Sequence, residues 1–77
     1  TPGHFMLLPL SHCDSPEKLP LEVWLHLHTL SHKAMSVLYE YGAQGVNMGA
    51  NIKKAGGAGI PEHLHIHFVP RYVGEHS

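Results

Sequence analysis

The sequence predicts an α+β fold, an antiparallel sheet with one long helix packed on it. Three observations carry that expectation. His63-Leu64-His65-Ile66-His67-Phe68-Val69 sets imidazole and apolar side chains at alternate positions, the period of a strand with one apolar face. Leu21 to about Tyr41 repeats apolar residues at three- and four-residue steps, the period of an amphipathic helix. Phe5-Met6-Leu7-Leu8, closed by Pro9, is a short apolar run and reads as a buried strand.

In chain order, Phe5–Leu8 is the first strand. Ser11 to Leu19 is loop, with Asp14, Ser15 and Pro16 as turn residues. Pro20 is expected at the first helical position, where its missing N–H costs nothing. The helical stripe runs through Leu21, Trp24, Leu25, His28, Ser31, Met35 and Leu38, widened by Leu27, Leu30 and Ala34. Trp24 and Leu38 read as core or dimer-interface residues. Gly42 reads as the helix stop. Gly45 to about Asn51 is the next strand. Residues 53–62 form a loop with three glycines and two lysines, His63–Arg71 is the last strand, and Val73–Ser77 is a tail. No internal repeat or linker divides the chain, so residues 1–77 are expected to form a single domain.

Composition bounds the function. A formal net charge of −1 with 14% charged residues gives no broad basic field, which argues against a nucleic-acid polymer as partner. No apolar run reaches membrane-spanning length and no charged-then-apolar leader opens the chain. One cysteine, Cys13, excludes an internal disulfide framework and suits a reducing compartment. The expectation is a cytoplasmic protein with no membrane partner.

In a strand, His63, His65 and His67 share one face, while Leu64, Ile66 and Phe68 share the other and enter the core. Together with its flanks, the string "GVNMGANIKKAGGAGIPEHLHIHFVPRY" resembles the histidine triad family of nucleotide hydrolases and transferases. That family carries three histidines alternating with apolar residues, often followed by Pro-Arg. The opening "PGHFMLLPLSH" is similar to the family's strand before its long helix, so the likeness runs from about Pro2 to Tyr72. The bacterial-type branches that include diadenosine polyphosphate hydrolases and phosphorylases are the nearest in look. The resemblance implies a five-stranded antiparallel sheet with a long and a shorter helix, usually paired as a two-fold homodimer. This chain supplies about three of those strands and the long helix. The family's first strands, with much of its nucleoside pocket, have no counterpart before Thr1.

The resemblance also implies roles. The middle histidine, His65, is the expected nucleophile on the α-phosphorus, since a neutral imidazole attacks at physiological pH. Its other nitrogen is expected to be held by a backbone carbonyl. His67 is the expected phosphate contact, His63 stands behind the nucleophile, and His4 matches the family's Gly-His near the phosphates. Asn51 is the best match to an Asn or Gln near the α-phosphate, with Asn47 its rival on the same strand face. Gly57, Ala58, Gly59 and Ile60 can bring backbone N–H groups close to an anion. Family members often carry a hydroxyl or amide near Gly59, and a glycine stands there in this chain. Lys53 and Lys54 read as a solubilising pair, and Arg71 as a structural residue first.

The expected chemistry requires no cofactor. Some family members bind zinc through a Cys-x-x-Cys pair and two histidines, and His12 and His63 match those histidines. The Cys-x-x-Cys pair is absent, so a complete zinc site is not expected within this chain. His26, His28 and His32 decorate the helix, His28 and His32 being four residues apart, but no "HExxH" string exists. The leading expectation is a nucleotide hydrolase or nucleotidyl transferase acting through a covalent nucleotidyl-histidine. The alternatives are a catalytically weak nucleotide-binding module and a histidine-rich metal-binding module.

Overall fold

The computed structural model describes residues 3–57 and 63–74. The element order is β1 (Phe5–Leu7), α1 (Leu21–Glu40), β2 (Gly45–Ala50) and β3 (Ile66–Arg71), with single 3-10 turns at Pro16–Lys18 and Lys54–Gly56. The sheet is three-stranded and antiparallel in the order β1-β3-β2. The α+β expectation therefore holds, with the histidine-bearing strand in the centre.

Central position explains the burial of β3. Phe68 pairs with Phe5 on one side and Met48 on the other, and Ile66 with Leu7 and Ala50. Phe68 is fully buried, and its ring stacks on that of Phe5 with centroids 4.7 Å apart. Leu64, Ile66 and Phe68 join Leu27 and Leu38 of α1, with Cys13, Leu19 and Ala43, in one core cluster. Pro70 is also buried, and a central proline needs its missing N–H to face no partner. The Arg71 carbonyl accepts the Gln44 N–H on the β2 side. Strand alternation directs position 70 the other way, toward β1, whose pairing stops at Phe5.

The last strand begins at Ile66, not at His63. The reason is lateral: Leu7 and Ala50, the last residues of β1 and β2 to pair, both lie opposite Ile66. Beyond them the chain finds another partner, and the Leu64 N–H donates to the Cys13 carbonyl. The next carbonyl, of Asp14, accepts the Lys53 N–H at 3.0 Å. Two consecutive carbonyls of the segment before α1 thus clasp both ends of the stretch 53–64.

Helix α1 ends as expected. Gly42 has φ +99°, its N–H donates to Tyr39, and the Ala43 N–H donates to Leu38. This is a Schellman stop, in which a left-handed residue lets the chain satisfy the helix's last carbonyls. Its apolar contact is present too, since Leu38 and Ala43 are both buried. At the other end Pro20 is one residue outside its expected place. It is the cap, with ψ 138°, and its carbonyl accepts from Val23 and Trp24. The buried line of the helix is Leu27, Ser31 and Leu38. Ser31 tolerates burial because its hydroxyl donates to the Leu27 carbonyl at 2.8 Å. Leu21, Leu25 and His28 were expected on that stripe but are exposed. Trp24, half-buried at its edge, meets His28 edge-to-face at 4.5 Å. No helix among the described residues is long and apolar enough to cross a membrane.

Lys53 has φ +59° and ψ 171°, a backbone region that glycine occupies almost alone. The clasp on its N–H and a turn bond from Gly56 to its carbonyl hold it there. Lys53→Gly is expected to raise stability by about 1 kcal/mol, the strain relieved less the entropy glycine adds to the unfolded chain. A higher urea midpoint with an unchanged slope is the expected reading.

Candidate active site

Residues directly opposite in an antiparallel pair share a sheet face. His67 lies opposite Met6 and Gly49, and Val69 opposite Asn47. These side chains form the face turned away from Phe68. His65 precedes the strand but remains beside His67, ring centroids 4.3 Å apart and edge-to-face. His4 reaches the same place from the residue before β1, 5.8 Å from His67. Gly3 sets that approach: with φ +88°, it passes so close that an added Cβ would lie 3.2 Å from the Pro70 ring.

His65 is buried, and its Nδ1 lies 3.1 Å from the His63 carbonyl. A carbonyl only accepts, so this contact assigns the proton to Nδ1 and leaves a lone pair on Nε2. Among the described residues nothing hydrogen-bonds that Nε2. The ring is therefore held at one nitrogen and, among the described residues, unengaged at the other, as a nucleophilic imidazole requires.

The three triad rings do not stand in a row. His63 contributes its main chain to His65, while its ring turns to His12, centroids 4.9 Å apart. Its Nε2 is enclosed without a hydrogen-bond partner among the described residues. His63 thus holds the His65 ring through its main chain, while its own ring stands apart from the His65–His67 pair. Two facing imidazoles and an orphaned nitrogen are part of a zinc site. A structural zinc needs four ligands, and among the described residues no three His, Cys, Asp or Glu groups converge to hold a metal. Asp14, which lines a pocket with His12, accepts from the Lys18 ammonium at 2.6 Å. These residues do not fit a closed zinc site.

Burial holds the His67 imidazole below the ordinary histidine value, and the neighbouring His65 and His4 rings disfavour its protonation further. His67 is therefore uncharged at neutral pH, with one ring N–H to donate. The sign for stability follows. The unfolded chain takes up this proton more readily than the fold does. His67 should cost no stability above about pH 6.5 and increasing stability as pH falls below it. Melting temperature against pH should drop more steeply on the acid side for the parent than for His67→Gln; parallel curves would refute this.

Asn51 lies just past β2. Its Nδ2 donates to the Gly57 carbonyl at 3.1 Å, so it ties the loop through its amide donor, and among the described residues nothing hydrogen-bonds its side-chain oxygen. Ala58, Gly59 and Ile60, expected phosphate contacts, lie outside the described residues. Asn47, Gly49, Asn51, His67 and Val69, with Met48 and Ala50, line one open cavity of about 290 Å³. One link escaped the sequence reading. Arg71 Nε donates to Asn47 Oδ1 at 2.6 Å across 24 residues. Register alone relates these positions, and no local pattern signals it.

The HIT domain family model matches residues 1–74. AP-4-A phosphorylases of two Mycobacterium tuberculosis strains are each 33% identical over 75 residues, 96% of this chain and 38% of theirs. An uncharacterized HIT-like protein of Methanocaldococcus jannaschii is 27% identical over 73 residues, 95% of this chain and 56% of its own. The chain thus spans well under two thirds of the curated relatives it matches.

Proposed function

The chain belongs to the HIT domain family, and on that premise we propose that it is a nucleotide hydrolase or nucleotidyl transferase acting on dinucleoside polyphosphates or nucleoside phosphoramidates. One observation carries the reading: His65 is fixed at Nδ1 by the His63 carbonyl, beside an imidazole that burial keeps uncharged. His65 Nε2 attacks the α-phosphorus. A P–N bond forms, the P–O or P–N bond to the leaving group breaks, and solvent supplies the leaving group's proton. Water or another acceptor then attacks the nucleotidyl-imidazole and restores the ring. His67 donates its N–H to the phosphate as charge moves onto the oxygens, and His4 adds a second ring beside it. The name of the mycobacterial relatives, AP-4-A phosphorylase, supports the dinucleoside polyphosphate class.

This chemistry uses a nucleophile and N–H donors and requires no cofactor. We further propose that the protein works in the cytoplasm as a homodimer. Its cysteine is free, and Leu10, Leu21 and Leu25 present apolar surface to solvent. The test is an alkaline quench during turnover of a dinucleoside tetraphosphate, followed by peptide mass analysis. A nucleotidyl increment on His65 is expected. Turnover with no adduct, or with the adduct on another residue, would overturn the mechanism.

A further inference from the structure

We propose that the sheet face beyond His67 is a subsite for the leaving nucleotide, with Asn47 as its binding residue and Arg71 as the residue that positions Asn47. The inference rests on the reading of His65 as nucleophile. In-line attack places the leaving group on the far side of phosphorus from the attacking nitrogen. His65 is followed along β3 by His67, and the next residue on that face is Val69, with Asn47 opposite it. On the course proposed, a leaving group that departs along β3 past His67 comes over Gly49, the residue opposite His67, and reaches Asn47.

What waits there has defined polarity. An asparagine amide has one oxygen and two N–H donors. Arg71 Nε occupies the Asn47 oxygen at 2.6 Å, and among the described residues nothing takes the amide donors, which remain for a ligand. At the other flank Asn51 has its Nδ2 committed to Gly57 and offers an oxygen. Among the described residues the cavity between them carries no carboxylate, and its floor is Gly49, where an added Cβ would meet nothing within 4 Å. Fixed N–H donors, the Asn51 acceptor, an uncharged imidazole and an open floor suit the phosphate and sugar hydroxyls of a nucleotide. The openness suits these better than a base, which would need an enclosing slot.

Asn47→Asp separates this role from a structural one. The carboxylate still accepts from Arg71, so a purely structural contact survives, but an oxygen replaces the N–H facing the anion. KM for a dinucleoside tetraphosphate should rise about tenfold or more. KM for a nucleoside phosphoramidate with a small alkylamine leaving group, which does not reach the subsite, should stay within twofold. Gly49→Val narrows the floor directly beside His67 and should give a rise with both substrates, larger for the dinucleoside tetraphosphate. Arg71→Leu, which frees the amide to rotate, should give a smaller substrate-selective rise than Asn47→Asp. Equal effects on both substrates, or an unchanged KM in Asn47→Asp, would overturn the subsite. If the parent turns over neither substrate, the enzymatic reading fails while the subsite still faces its own test. Calorimetric titration with a non-hydrolysable dinucleoside tetraphosphate and with a mononucleotide then decides it. Selective weakening of the first in Asn47→Asp supports the subsite; equal weakening, or binding of neither, refutes it.

Discussion

Replacing His65 with alanine is expected to lower turnover of a dinucleoside polyphosphate by ~10⁴-fold or more, the scale of losing a nucleophile that nothing else replaces. Substrate binding should remain, because the phosphate contacts proposed for His67, His4 and the loop are untouched. Alanine also removes a buried ring and its bond to the His63 carbonyl, so some stability goes with it. His65→Asn guards against reading misfolding as chemistry. Its amide can still donate to His63, yet it offers no nucleophilic nitrogen, so it should fold and be equally inactive. His67→Ala should cost less, about 10²- to 10³-fold, because a donor to developing charge lowers a barrier without forming the bond. Chemical-quench rates for the three variants would test that order. A His67 variant slower than the His65 variants, or a His65 variant retaining a tenth of parental turnover, would remove His65 from the nucleophile's place.

Much of this arrangement is legible in the residues because it is local. Gly42 marks the helix stop because only a left-handed residue closes that turn cheaply, and the alternation of His65, Ile66, His67 and Phe68 marks a two-faced strand. What the sequence hides depends on distant partners. His63 continues the alternation perfectly, yet β1 and β2 both stop opposite Ile66. Its ring is then free to turn to His12, 51 positions earlier in the chain. The helical period leaves open which side of a broad apolar arc meets the sheet, so Leu21 and Leu25 read as core and lie exposed. Lys53 gives no sign of its left-handed backbone, because that conformation normally announces itself with glycine. Asn47 and Arg71 each raise suspicion alone, and only the register of β2 on β3 joins them.

The fold's largest single dependence is Phe68. It is fully buried in the central strand, stacked on Phe5 within 10° of parallel, and in one cluster with Leu27 and Leu38 of the helix. Phe68→Ala removes a ring and leaves a cavity between sheet and helix, a change that costs roughly 3–5 kcal/mol. A chain of 77 residues carries about 4–12 kcal/mol in all at the usual stability per residue. The variant is therefore expected to lose about a quarter of its stability or more and to melt well below the parent. Phe68→Leu keeps most of the volume and should cost only about 1–1.5 kcal/mol. Urea unfolding followed by far-ultraviolet circular dichroism measures both. The consequence reaches the chemistry, because Phe68 is the next residue after His67 and anchors the opposite face of the same strand. Phe68→Leu should fold yet lose part of its turnover through misplacement of the His67 ring. Full activity with an alanine at 68, in a protein as stable as the parent, would mean that the core does not hold the strand in the way the stacked rings require.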